Sequence, residues 1–112
     1  DGFSWQENGT GALKIAATAS FSTQYKTLIA KDASNATVFE INLDGTAAAT
    51  YAVDANNAIT YAGVNPYFTA TSGSVIVTEN AGGKISGTFS AAGNAAGITA
   101  ISGTFKNITV VP

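Results

Sequence analysis

The chain contains no histidine, no cysteine, no arginine and no methionine. Without His or Cys there is no Ser-His-Asp or Cys-His arrangement, no thiol chemistry, and no His-containing or Cys-rich zinc site. Without Arg there is no planar guanidinium to clamp phosphates in bidentate fashion. The absence of Cys leaves the redox compartment open, because a domain of 112 residues folds without disulfides. The absence of Met, at position 1 above all, leads to the expectation that a leader is removed ahead of Asp1, as in a secreted protein.

Charge is scarce too. Charged residues make up 11% of the chain against 46% hydrophobic ones, a balance that argues for a folded core over disorder. The net charge is −2, and the only cations are the scattered Lys14, Lys26, Lys31, Lys84 and Lys106. No basic stripe exists to follow a phosphate backbone, so nucleic acid is not an expected partner. No apolar run approaches the roughly 20 residues of a transmembrane helix, so no transmembrane segment is expected.

The carboxylates Asp1, Glu7, Asp32, Glu40, Asp44, Asp54 and Glu79 are isolated along the chain and mostly sit at turns. No pair suggests acid–base work on a glycosidic bond. The segment Asp54-Ala55-Asn56-Asn57, joined by Asp44-Gly45, offers some oxygens for calcium, but that ion takes six to eight. Asp and Asn are ordinary turn residues, and that reading is preferred. The expectation is therefore no catalytic residue, no cofactor, no metal and no enzyme activity.

What the chain does have is a hydrophobic period of two, the mark of half-buried strands. Leu13, Ile15, Ala17, Ala19 and Phe21 alternate with more polar neighbours and predict one long strand with an inward face. Phe39, Ile41 and Leu43 alternate with Glu40 and Asn42, ending at Asp44-Gly45, a dipeptide suited to a tight positive-φ turn. Shorter strands are predicted over 25–30, 50–53, 58–61, 67–71 and 74–78, separated by turn residues. No helical period survives the Gly, Asn and β-branched residues. The pattern predicts a single domain over 1–112, an all-β antiparallel sandwich, barrel-like, of roughly 8–10 short strands.

The pentapeptide Ile-Ser-Gly-Thr-Phe occurs twice, at 85–89 and 101–105. Pairing the copies antiparallel about Ala95 sets Ile85 opposite Phe105, Gly87 opposite Gly103 and Phe89 opposite Ile101, with the hydroxyl residues on the other face. The tip then falls in 93–97, and residues 75–78 flank the hairpin through a connection at 79–83. Inward parity changes from odd at Phe105 to even at Ile108, which predicts a β-bulge near Lys106-Asn107.

Asp1-Gly2-x-x-Trp5, then Leu43-Asp44-Gly45-Thr46 with Thr50-Tyr51-x-Val53, then Gly73-x-Val75-x-Val77-Thr78 and the two pentapeptides, form an ordered series over nearly the whole chain. It resembles a family of small secreted lipoprotein domains of uncharacterised function from Bacteroidota-type bacteria. The resemblance implies a β-sandwich exported to the periplasm or cell surface, and no catalytic residue. Such domains carry a strand ahead of the Gly-x-x-Trp segment and a lipidated Cys before that. This chain would then lack or share an N-terminal strand, and the open edge would recruit one from another copy.

The leading expectation is a non-enzymatic secreted or cell-surface subunit that assembles with copies of itself into an extracellular fibre or coat. The alternative is a monomeric surface module that binds carbohydrate or another ligand. Tyr25, Tyr51, Tyr61 and Tyr67 are the candidate ligand or interface aromatics, each with a flat apolar face and a polar tip. Trp5, Phe39, Phe89 and Phe105 are assigned to the core. Asn-x-Ser/Thr sequons at Asn8, Asn35 and Asn107 are no more numerous than chance allows.

Overall fold

A computed structural model describes residues 1–112. The period-two segments become β1 (Gly2–Glu7), β2 (Lys14–Ile15), β3 (Thr18–Ser22), β4 (Thr27–Lys31), β5 (Thr37–Asn42), β6 (Ala49–Ala52), β7 (Ala58–Tyr61), β8 (Phe68–Thr69), β9 (Ser72–Ala81), β10 (Lys84–Ala95) and β11 (Ile98–Val111). The all-β expectation holds. Hydrogen bonding runs through one continuous eleven-stranded sheet in the order β6-β9-β10-β11-β3-β4-β5-β7-β8, with β1 on β11 and β2 on β1. The sheet curls into a half-barrel, antiparallel everywhere except where β3 joins β11.

The doubled pentapeptide does form adjacent antiparallel strands, but its register differs by two residues from the expected one. Gly87 pairs with Phe105, and Phe89 with Gly103. A slip of two keeps every side chain on its face, so the alternation cannot distinguish the registers. Packing distinguishes them. A Cβ on Gly87 would lie 2.7 Å from Cζ of Phe105, and one on Gly103 would lie 2.5 Å from Cζ of Phe89. Each phenyl ring therefore occupies the space left by the glycine across from it, the arrangement in which an aromatic covers a cross-strand glycine. Placed glycine to glycine, the strands would leave a hole between two crowded rings.

The inward rows extend this pattern across the sheet. Val77, Gly87, Phe105 and Phe3 form one row, and Val75, Phe89, Gly103 and Trp5 the next. Phe3 stacks on Phe89 at 5.4 Å between centroids, Phe39 meets Phe89 edge-on at 5.3 Å, and Phe39 stacks on Tyr61 at 4.7 Å. Trp5, Phe39, Phe89 and Phe105 all lie in the core.

The hairpin tip is the two-residue turn Ala96-Gly97, with φ of 53° and 82°. Gly82-Gly83 closes the β9–β10 hairpin in the same conformation, at 62° and 77°. Positive φ at both central residues matches the right-handed twist of the flanking strands. The expected bulge is present: β11 holds one residue more than β10 between the pairs 85–108 and 87–105. Asn107 there has φ 53°, and its N–H donates to Ser86 Oγ at 2.9 Å. Past this bend β11 leaves β1, whose pairing ends at Lys106, and takes up β3 from Thr109 onward. One extra residue thus lets a single strand serve two neighbours on the same edge.

Two further sequence expectations need correction. Residues 13–21 are not one strand, because the chain changes neighbours in the middle: the Ala16 N–H donates to the Phe3 carbonyl, whereas the Ala17 N–H donates to that of Lys31. The break leaves Leu13 59% and Ile15 72% exposed, while Phe21 stays buried. Asp44-Gly45 is not a positive-φ turn. The chain passes there from β5 to β6, which pairs with β9. Tyr51 lies against Gly45, with its hydroxyl oxygen 3.0 Å and its ring Cε1 3.1 Å from where a Cβ would sit.

Candidate functional site

Because side chains alternate, every inward row has an outward counterpart, and the outward rows form two surfaces. On the first, Thr50 (β6), Ile76 (β9), Thr88 (β10), Thr104 (β11), Ser4 (β1) and Ile15 (β2) stand side by side across six strands. The next row is Ala52, Ser74, Ser90, Ser102 and Gln6. None of these eleven residues carries a formal charge. Ile76, 41% exposed, and Ile15 are the large aliphatics on the face, with the exposed Leu13 beside Ile15 in the chain. Small hydroxyl side chains make the remainder shallow, and two short strands, β6 and β2, bound it.

The second surface lies on the outer side of β3, β4, β5, β7 and β8. Its central row is Ser20, Ile29, Glu40, Thr60 and Thr69, and beside it run Ser22, Thr27, Asn42 and Ala58. Glu40 projects from its middle. The Asn42 amide donates to Glu40 Oε2 at 3.2 Å, and the Thr27 hydroxyl lies 2.9 Å from both Asn42 Oδ1 and the Tyr25 carbonyl. Thr27 is buried and faces Asn42 across the β4–β5 pair, so the Asn42 oxygen is held from the side and its amide is left to the carboxylate. Concavities flank Glu40 on both sides. One, of about 290 Å³, is lined by Tyr25, Asn42 and Ile29; the other, of about 490 Å³, by Tyr67, Thr37 and Thr60.

The four candidate tyrosines separate into two pairs. Tyr25, in the β3–β4 turn, is 71% exposed, and Tyr67, just before β8, is 66% exposed; both border the second surface. Tyr51 and Tyr61 point into the core. Tyr51 donates its hydroxyl to the Ala47 carbonyl at 2.6 Å, and burial, then the nearby Asp44 carboxylate, push its ionisation up. Tyr61 donates to Glu7 Oε2 at 2.6 Å. Burial, then that hydrogen bond, push the Tyr61 hydroxyl up to about 12. The Trp5 indole N–H beside it opposes the shift but closes no full hydrogen bond, and it is the one buried side-chain donor without a partner.

The Asp and Asn side chains considered for calcium have structural tasks. Asp54 Oδ1 accepts the backbone N–H groups of Asn56 at 2.7 Å and Asn57 at 3.0 Å, an Asx-type turn. Asn57, 4% exposed, accepts the Asp44 N–H and donates to the Ala52 carbonyl, tying the β5–β6 connection to the β6–β7 turn. No group of three or more His, Cys, Asp or Glu side chains converges as a metal site. No helix is long and apolar enough to cross a membrane.

Sequence reasoning missed the Thr27–Asn42–Glu40 network and the six-strand uncharged row. Parity along 39–43 already turns Glu40 and Asn42 outward. The row, by contrast, joins residues from six separate strands, and only the pairing order brings them together. Comparison with protein-family models, curated protein sequences and solved structures finds no match.

Proposed function

We propose that this protein is a non-enzymatic structural subunit that assembles with copies of itself through the outer face of β6, β9, β10, β11, β1 and β2. The observation that carries the reading is the uncharged double row from Thr50 to Ile15 and from Ala52 to Gln6. Stripping water from charges is a large penalty when one surface packs on another, and these two rows have none to strip; Lys106 and Glu79 stand at their margin, beside Thr104 and Ser86. Ile76, Ile15 and Leu13 supply apolar area, and the hydroxyls can exchange hydrogen bonds with a facing copy.

The size is sufficient. Six strands at about 4.8 Å, with β10 from Ser86 to Asn94 at about 3.4 Å per residue, span roughly 600–800 Å² once the shorter flanking strands are allowed for, an area that takes in Glu79 and Lys106 at one margin. A stable interface covers about 800 Å² on each partner. Two uncharged rows that meet their own copy suffer no like-charge repulsion, and the marginal Lys106 and Glu79, of opposite sign, can face one another across the contact, which is why a second copy is the occupant they fit. Edge pairing offers less, since the outermost strands β6 and β8 have four and two residues.

The wider setting is an exported protein, extracellular or at the cell surface, akin to the secreted lipoprotein domains that its motifs resemble. In that fold the two walls of the curled sheet would act as the layers of a sandwich. The test is molar mass by light scattering over a concentration series for the wild type, Ile76→Lys, Thr88→Lys and, on the opposite surface, Thr60→Lys. Mass should rise with concentration for the wild type and Thr60→Lys, and stay monomeric for the other two at unchanged unfolding midpoints. A wild type that is monomeric throughout would refute the proposal.

A further inference from the structure

We infer that the second surface, the outer side of β3, β4, β5, β7 and β8, is a binding platform for a neutral polysaccharide chain, contacted by Tyr25, Glu40, Asn42 and Tyr67. It is independent of the assembly face, which lies on other strands.

The argument begins with what is left exposed. Tyr25 and Tyr67 keep 71% and 66% of their surface in water although the core is rich in aromatic rings, and each borders a concavity that reaches Glu40. A pyranose ring has an apolar C–H face bordered by hydroxyls. Tyrosine matches both parts, with a flat ring for the face and a phenol for the rim. Between the two rings stands a carboxylate, the strongest acceptor for a pair of sugar hydroxyls.

The polar groups are preset. Asn42 is fixed through Thr27 and bonds one Glu40 oxygen, which leaves Oε1 of Glu40 and the second Asn42 N–H without a partner in the chain. Fixing side chains before binding lowers the ordering cost that flexible groups would carry. Charge selects the class of sugar: Glu40 is the only charged side chain lining either concavity, with Lys31 outside them on β4, so the centre of the site repels uronic acids and sulfated glycans.

The spacing selects a chain over a single sugar. Tyr25 and Tyr67 are separated by three strand spacings and about six residues along the strands, roughly 25 Å from standard sheet dimensions. A monosaccharide reaches one ring only. An oligosaccharide spanning both concavities engages two aromatic stacks and the central carboxylate together, so affinity should climb steeply with chain length.

The experiment is affinity electrophoresis of the full chain in gels containing hydroxyethyl cellulose, xylan, galactomannan, soluble starch or, as the acidic control, polygalacturonate. Titration calorimetry follows, with oligomers of whichever polysaccharide retards it. The expected result is retardation by at least one neutral polysaccharide and none by polygalacturonate. Tyr25→Ala, Tyr67→Ala and Glu40→Gln should each weaken binding tenfold or more, at an unfolding midpoint that matches the wild type. Monosaccharides should bind at least a hundredfold more weakly than oligomers that span both rings. Unretarded migration in every neutral gel, or full retardation of the Tyr25→Ala/Tyr67→Ala double variant, would overturn the inference. A wild type that assembles but ignores all four neutral polysaccharides would sink this platform and leave the assembly reading standing.

Discussion

The ring of Phe89 lies over Gly103, so close that a methyl group on that glycine would meet ring atoms at 2.5 and 2.6 Å as well as the Ser4 carbonyl of the neighbouring strand. Sixteen residues on in the sequence, in the adjacent inward row, Phe105 stands in the same relation to Gly87. The repeated Ile-Ser-Gly-Thr-Phe phrase is therefore a packing device: each copy supplies one ring and one vacancy, and antiparallel pairing matches them twice.

Gly103→Ala should destabilise the protein by about 2–3 kcal/mol, the usual cost of forcing volume into a filled core. Ser102→Ala, one residue away on the outward face, should change stability by less than about 0.5 kcal/mol. Urea denaturation of both variants measures the difference. Equal midpoints would mean that ring and glycine do not face one another.

Ala96 adopts φ 53° in the β10–β11 turn, a conformation that costs an alanine more than an asparagine. Ala96→Asn creates the preferred Asn-Gly pair of this turn and should stabilise by about 0.5–1 kcal/mol. Thermal unfolding followed by circular dichroism reads the shift. A lower midpoint would place the tip elsewhere within 93–97.

Asn8 fastens the β1–β2 connection to the start of β11. Its Oδ1 accepts the N–H groups of Thr99 at 2.9 Å and Ala100 at 3.3 Å, and its Nδ2 donates to the Gly97 carbonyl at 3.2 Å. Asn8→Ala should cost about 1–2 kcal/mol and raise amide exchange at Thr99 and Ala100. Exchange at those two amides unchanged in Asn8→Ala would contradict the clamp.

Alkaline pH should weaken the fold through Tyr61. Its hydroxyl ionises at about 12 in the folded chain against an ordinary 10.0, so the folded state favours the neutral phenol. That contribution is fully present below pH 10 and is lost as pH rises from 10 toward 12, where the unfolded chain releases the proton first. The denaturation midpoint should fall across this window, and in Tyr61→Phe the slope should be shallower by about one proton. Identical slopes would show that Tyr61 is solvated.

Legibility in the sequence followed the range of the interactions. The 39–43 alternation was readable because parity is local, and Phe39 and Ile41 are indeed fully buried. Parity also foresaw the bulge at Lys106-Asn107. It could not fix the hairpin register, since a two-residue slip preserves faces and only ring-over-glycine packing decides. Nor could it see the break at Ala16 and Ala17, where the alternation continues while the backbone partner changes from β1 to β4. β1 went unassigned because only Phe3 and Trp5 carry its inward face. Of the tyrosines, Tyr51 and Tyr61 sit in strands at positions level with Val53 and Ile59, so parity implied their burial. Tyr25 and Tyr67 open the strands expected over 25–30 and 67–71, but β4 begins at Thr27 and β8 at Phe68, so both fall just outside, where alternation does not govern exposure.

The chain's lack of cysteine makes the central claim directly measurable. Single-cysteine variants at Ser74, Thr88 and Ser102 on the uncharged face, and at Thr60 on the opposite surface, each carry the only thiol in the molecule. Disulfide-linked dimer formation under mild oxidation, timed on non-reducing gels, reports which face meets its copy. At least one of the first three should cross-link ten times faster than the Thr60 variant, and adding Ile76→Lys should abolish the difference. Cross-linking at the same slow rate from all four positions would contradict assembly through this face.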